Sequence, residues 1–349
     1  MVPERHPVVM VTGASAGVGR AVVRLFAQRH QARLGLLARG VERLESARRE
    51  VEEAGGEAVV TPADVADADA VERAAATLED RFGPIDVWVN NAMVSMMAPF
   101  RRMTLAEFRR ITEVTFLGYV HGTHAALHRM LSRDQGVILQ VGSALAYRSI
   151  PLQSAYCAAK HAVAGFTESL RTELLHDNSN VQLRIVHLPA VNTPQFEWIR
   201  NRMGGKSKPV GTIYQPEVAA DAIVWTAYHN RPEFQLGYPT VQAILGDKVA
   251  PRWLDHYLAN TVYEGHVTKI PDPPGRPDNL FDPAPGDFAA HGPYNAEAWR
   301  SSPQMWLNKH RNVLALAGLG LAAAAFFKRR PTRDDQRAAN VRGAYTIWR

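Results

Sequence analysis

The first thirty residues constrain the fold more than any other stretch. Val8-Val9-Met10-Val11 is a short apolar run suited to a buried parallel strand. It leads straight into Thr12-Gly13-Ala14-Ser15-Ala16-Gly17-Val18-Gly19, and Ala21, Val22, Leu25 and Phe26 then follow at helical spacing. Strand, glycine-rich turn and helix in that order form a cradle for a pyrophosphate. The glycines permit a tight turn and let the backbone approach the phosphates. The helix N-terminus adds free N–H groups and partial positive charge. Gly13, Ser15, Ala16, Gly17, Val18 and Gly19 are therefore expected to hold a dinucleotide.

Strand and helix patterns alternate beyond this unit. Strands are expected at Arg33–Leu37, Glu57–Val60, Ile85–Val89, Gly136–Val141, Gln182–Leu188 and Phe234–Leu236. Helices are expected over Val41–Ala54, Asp67–Phe82 with an acidic cap, Thr104–Ser132 with Glu107 completing a capping box, Ala155–His176 and Pro216–His229. This alternation implies an α/β fold, a Rossmann-type doubly wound parallel sheet. Ligands in such sheets bind beyond the C-terminal ends of the strands. Asn90, Ser143 and Pro189 all follow strand ends, so they are expected at one crevice.

The second strand ends in Ala38-Arg39. An acid there would bond the ribose hydroxyls of NAD and repel a 2′-phosphate. Arg39 can instead make charge-assisted bonds to that phosphate, which favours NADP(H). Otherwise Arg39 is a solvated surface arginine.

Tyr156 and Lys160 stand four apart, with Ser143 thirteen residues upstream. On a helix such a pair shares one face. A tyrosine titrates near pH ~10 in water, and a neighbouring cation lowers that value. A serine hydroxyl delivered from a separate strand end can bond a substrate oxygen. These are parts for moving a proton on and off a carbonyl or alcohol.

From Thr12 to Pro194 the chain resembles the short-chain dehydrogenase/reductase family, in its compact, non-extended branch. Thr12-Gly13-x-x-x-Gly17-x-Gly19 is similar to that branch's cofactor motif, and Asn90-Asn91-Ala92 to its Asn-Asn-Ala-Gly turn, with Met93 in place of the glycine. The resemblance implies that Ser143, Tyr156 and Lys160 are catalytic and that Lys160 also bonds the nicotinamide ribose. It implies that Asp64, with Val65, meets the adenine and that Asn91 and Ala92 line the cofactor. Leu188–Pro194 resembles the family's Pro-Gly motif, with Ala190 at the glycine position, which places Pro189, Val191 and Thr193 beside the nicotinamide. Thr115 stands where the family has an asparagine that helps link the lysine to solvent through water, so the catalytic set is read as Ser143, Tyr156, Lys160 and Thr115. Gln195–Tyr214 resembles a substrate lid. Its Phe196, Trp198, Ile199 and Met203 imply either a hydrophobic substrate or plain helix packing.

Four regions are expected: a catalytic domain at 1–240, a helical extension at 241–270, a Pro-rich linker or arm at 271–304, and an apolar helix with a basic tail at 305–349. Residues 271–303 contain eight prolines, a density that blocks helix and central strand. The net charge of +6 sits in the tail, where nine Lys or Arg face two Asp after residue 304. The basic balance is therefore no sign of a nucleic-acid partner. Val313–Phe327 is uncharged and spans about 22 Å as a helix, short of the ~30 Å hydrocarbon core. Membrane attachment at the inner face and packing on a partner subunit are both open for it. The lone Cys157 excludes an internal disulfide and implies a cytoplasmic setting. No metal site is expected: His121, His124 and His128 share a helix without accompanying acids. The expectation is a homo-oligomeric, NADP-dependent oxidoreductase acting on a small-molecule carbonyl or alcohol, with an NADPH-binding regulator or scaffold as the alternative.

Overall fold

Seven parallel strands form the central sheet. They are β1 (Val8–Thr12), β2 (Arg33–Ala38), β3 (Glu57–Pro62), β4 (Val87–Asn90), β5 (Val137–Ser143), β6 (Gln182–Leu188) and β7 (Glu233–Gln235). The spatial order is β7-β6-β5-β4-β1-β2-β3, and each neighbouring pair is parallel. The chain reverses its direction of winding between β1 and β4, so a crevice opens there at the strands' C-terminal ends. The computed structural model describes residues 2–273, 275–313 and 316.

The flanking helices are α1 (Gly17–His30), α2 (Val41–Glu53), α3 (Ala68–Phe82), α4 (Leu105–Thr112), α5 (Gly118–Leu131), α6 (Ser154–His176) and α7 (Pro216–Tyr228). Two groups cover the sheet: α1 packs on α2 and α7, while α3 packs on α5 and α4 on α6. The starts of these helices follow local rules. Asp67 accepts from the Ala70 N–H at 3.0 Å, and Thr104 and Glu107 cap each other reciprocally. Apolar side chains fill the interior, with Trp88, Phe26, Tyr119 and Phe234 among the largest fully buried.

The single helix expected over Thr104–Ser132 is broken. A π-helical turn, Glu113–Leu117, separates α4 from α5. Thr115 sits in that turn, fully buried, with its hydroxyl donating to Val94 O at 2.8 Å and accepting from Val94 N–H at 3.1 Å. An extra residue in the turn is compatible with this anchoring to a neighbouring loop.

Gln195–Tyr214 is mostly not helical. It holds one helical turn, Gln195–Trp198, and short strands at Arg200–Asn201, Gly205–Ser207 and Ile213–Tyr214. The extension forms α8 (Tyr238–Val249) and α9 (Pro251–Tyr257), divided at Pro251. The strand Val267–Pro271 then pairs antiparallel with Gly205–Ser207.

The Pro-rich stretch lies on the body as an arm. Leu280, Ala284, Ala290 and Ala298 are buried against it. Residues 1–302 form one compact unit, and residues 303–349 fall in a second. In the second, residues 303–313 are helical. Most of the apolar segment Val313–Phe327, and the basic end after it, lies outside the described residues. Among the described residues, no helix is long and apolar enough to cross a membrane.

Candidate active site

The glycine-rich turn is built on close backbone approach. Gly13 has φ +69°, and a Cβ there would lie 2.8 Å from Ala92 Cα. Gly19 approaches even more tightly: its Cβ would fall 2.2 Å from Gly13 O. Only glycine fits both places without displacing backbone. Thr12 ties this turn to the next. Its hydroxyl oxygen accepts from the Asn91 and Ala92 N–H groups at 2.9 and 3.0 Å, and Asn91 Nδ2 donates to Thr12 O at 3.0 Å. Asn90 turns the other way into a buried network, taking a bond from Trp88 Nε1 and donating to Gln140 and Thr123. It holds β4 and β5 together and does not line the crevice.

A cavity of about 550 Å³ occupies the crevice. Every residue expected at the site lines it except Gly17, Gly19, Thr115 and Asn90. The first two shape the turn from beneath, and Thr115 is engaged with Val94. The backbone of the turn, with Ser15, Ala16 and Val18 on the cavity wall, fits a dinucleotide pyrophosphate.

The reactive end gathers from three elements. Ser143 ends β5, while Tyr156 and Lys160 lie on one face of α6. Ser143 hydrogen-bonds the Tyr156 hydroxyl, and its Oγ also accepts from Leu145 N–H at 3.1 Å. Lys160 Nζ lies 5.7 Å from the Tyr156 ring centroid. It donates to Val141 O and to the Tyr119 hydroxyl, each at 2.8 Å.

The sequence leads one to expect a lysine that lowers the tyrosine's pKa. In the structure burial dominates both groups. Burial pushes the Tyr156 phenol above its ordinary value, the Ser143 bond opposing it only in part. The same burial brings Lys160 down to about 7. A lysine whose charged form is itself disfavoured by burial cannot fully offset the phenol's desolvation. The phenol is thus protonated at neutral pH, the form that donates a proton.

At the other end Arg39 is half-buried and tied to the arm. Its guanidinium donates to Phe281 O at 2.6 Å and to Asn279 O at 2.5 Å, both in the arm. Asp64 accepts from Arg110, whose Nε donates to Leu280 O at 3.0 Å. Arg43 stacks over Trp198, 5.1 Å from its ring centroid. Arg43, Asn279 and Pro283 line the cavity but were not expected there. Arg43 follows Arg39 by four residues, a spacing visible in the sequence. Asn279 and Pro283 carry no such local signal.

The fold and this site define an oxidoreductase that works between alcohols and carbonyls. The chain belongs to the short-chain dehydrogenase family: residues 7–203 match the family model described as short chain dehydrogenase. An uncharacterized oxidoreductase of Bacillus subtilis, YxnA, is 30% identical over 329 residues, covering 93% of this chain and 91% of that protein. Among solved structures, an alcohol dehydrogenase from the archaeon Thermococcus sibiricus complexed with 5-hydroxy-NADP is 26% identical, with TM-score 0.58 over 66% of this chain and 96% of its own. A short-chain dehydrogenase/reductase from Burkholderia phymatum in complex with NAD shares the fold at 22% identity, with TM-score 0.64 over 74% of this chain and 97% of its own.

Proposed function

We propose that this protein is an NADP-dependent enzyme that interconverts an alcohol and a ketone or aldehyde on a lipophilic substrate. The observation that carries the reading is the meeting of Ser143, Tyr156 and Lys160 on one cavity wall beside the dinucleotide cradle. A bound nicotinamide supplies or accepts the hydride at the substrate carbon. Ser143 orients the substrate oxygen. Tyr156 gives that oxygen a proton in reduction and recovers it in oxidation. Lys160, when charged, favours the phenolate and offers an N–H to the cofactor ribose.

Two features support the finer assignments. The β2 end carries Arg39 and no acid, and Arg43, four residues on, lines the same cavity, so the positive charge there suits a 2′-phosphate. A guanidinium has five N–H donors, and the two directed at the arm carbonyls leave others for a phosphate. The substrate end is lined by Met93, Val94, Met97, Leu145, Ile150 and Phe196, which favours an apolar substrate.

The test is NADPH and NADH oxidation against a panel of lipophilic ketones and aldehydes. We expect turnover with a lower KM for NADPH, and Arg39→Asp should reverse that preference. Unchanged preference in the variant removes Arg39 from the reading, and no turnover with any carbonyl sinks it.

The tail is proposed to hold the enzyme at the cytoplasmic face of a membrane. Its support is the uncharged run Val313–Phe327 followed by basic residues. Deleting residues 305–349 and fractionating cells tests this. If the full chain is as soluble as the shortened one, the anchor fails. A homo-oligomer is proposed as well, and light scattering at a single-chain mass of 38.6 kDa would exclude it.

A further inference from the structure

Lys160 is buried to 2% exposure, and among the described residues no carboxylate pairs with it. A protonated lysine has three N–H donors. One points to Val141 O and one to the Tyr119 hydroxyl oxygen, each at 2.8 Å. Tyr119 gives its own proton to the same Val141 carbonyl at 3.0 Å. Amine, phenol and carbonyl thus close a triangle behind the site. Nζ also lies 4.5 Å from the Tyr119 ring centroid. Two fixed acceptors stop rotation of the ammonium about its last bond. The third donor is then fixed too, and Lys160 lines the cavity that Tyr156 shares.

We propose that Tyr119 is a positioning residue for Lys160, its hydroxyl fixing the ammonium's direction and stabilising its charged form. This rests on the reading of Tyr156 and Lys160 as the proton-handling pair. Thr115 does not fill the role, because its hydroxyl serves both polar groups of Val94. Tyr119 comes one turn later, just past the π-helical turn. It is held firmly there: Asn90 Nδ2 donates to its backbone oxygen at 3.3 Å, within the network that joins β4 to β5. A buried phenol needs a partner for its O–H. Here that need is met by Val141 O, which leaves the oxygen lone pair for the lysine.

The titratable groups facing Lys160 are few. Tyr156 lies on its own helix, Tyr119 comes from α5, and His187 comes from β6, where the lysine's charge disfavours a second cation. Burial holds His187 down at about 4, with Glu233 opposing, so it is neutral wherever Lys160 titrates. His187 therefore does not compete as Lys160 titrates.

Tyr119→Phe keeps the ring and removes the hydroxyl. In carbonyl reduction, kcat/KM should fall with rising pH as Lys160 loses its proton. A hydrogen bond to a charged group is lost in the variant, so that fall should move to lower pH by about one unit or more. At pH 7 the activity should drop by about fivefold or more. Thr115→Ala is the control: it disturbs Val94 and should leave the midpoint in place. Should Tyr119→Phe fail to fold, 3-fluorotyrosine at position 119 weakens the oxygen as an acceptor, keeps the packing and should shift the midpoint in the same direction. An unmoved midpoint in whichever of these folds overturns the proposal. Tyr156→Phe separates the two ideas. If it stays fully active, the reading of the site has failed; if it is dead while the Tyr119 variants titrate like wild type, only the positioning role has failed.

Discussion

The cofactor cleft has two walls of different construction. One is the core: the turn after β1, the end of β2, the Asn91-Ala92 turn and the residues at the end of β5. The other is the arm, which brings Asn279 and Pro283 to the same cavity. The core wall is made by regular elements whose own patterns place each side chain. The arm has no such pattern and is fastened point by point. Its carbonyls at Asn279 and Phe281 take Arg39, its Leu280 O takes Arg110, and its Ala289 O takes the Gly17 N–H at 3.1 Å. Asp287 pairs with Arg20, itself only 2% exposed, and Gly292 passes so close that a Cβ would sit 2.3 Å from Thr193 O. The chemistry lies in the core, and the arm spans the parts of the core that must stay in register around a ligand. A substitution in the core should therefore change turnover before stability, and one in the arm the reverse.

The sharpest break of that contrast would come from Tyr156→Phe. Loss of a positioned proton donor typically costs on the order of 10²–10⁴-fold in rate. We expect kcat to fall by that factor while NADPH binding, followed by fluorescence, and thermal stability stay near wild type. If binding falls with turnover, the phenol is holding the cleft together and the division of labour is wrong.

Leu280→Ala probes the other side. Leu280 is fully buried and belongs to the main core cluster with Leu78, Trp88 and Ile111. Truncating such a leucine usually costs about 2–5 kcal/mol. Denaturant unfolding should show that loss if the arm folds together with the core. If global stability is kept and proteases instead cut within residues 272–302, the arm is a separately released strap.

These two residues also show what a sequence can disclose. Tyr156 was legible because its partner Lys160 stands four residues away on one helix and its neighbour Ser143 stands at a strand end. The seven strands of the central sheet, the helices α2, α3, α6 and α7, and the caps at Asp67 and Thr104 were legible for the same reason, since period and capping are local. Leu280 was not. Its burial depends on contacts far along the chain, and the arm grips the core largely through backbone carbonyls, which every residue possesses. Arg39 stood between these cases. Its place at the end of β2 was readable, but its two partners in the arm were not. Tyr119 was missed because its role depends on a π-helical turn that the apolar pattern of Thr104–Ser132 does not reveal. The pKa of Tyr156 went the other way from expectation because spacing shows the lysine but not the depth of burial.

Activity and stability should also part company with pH. Lys160 falls to about 7 in the folded protein, against ~10.4 for a free lysine. Between those values the unfolded chain holds more protons than the folded one, so the stability linked to Lys160 rises with pH. Over the same range kcat/KM for reduction should fall, by about tenfold for each unit well above 7, as the charged lysine is lost. Parallel pH series of unfolding and of NADPH oxidation check this. A kcat/KM that stays flat from pH 6 to 9 would mean that the lysine's charge is not needed.

The smallest effect should come from Asp287, whose stability contribution also rises with pH but does so at the acid end. Burial opposes its ionisation, but bonds from Arg20, Ser46 and the Ala289 N–H together hold it at about 2, against 3.8 ordinarily. Folding therefore favours the carboxylate. The stabilisation is complete above 3.8 and is lost as pH falls through about 2. Its side chain is 34% exposed, and Arg20 keeps a second partner in Glu50 at 2.9 Å. Allowing for that exposure, the contribution is on the order of 1 kcal/mol. Asp287→Asn should lose about that much near neutrality and almost nothing near pH 2, with turnover at saturating NADPH unchanged. A large loss of kcat from so peripheral a carboxylate would show that the arm takes part in catalysis as well as closure.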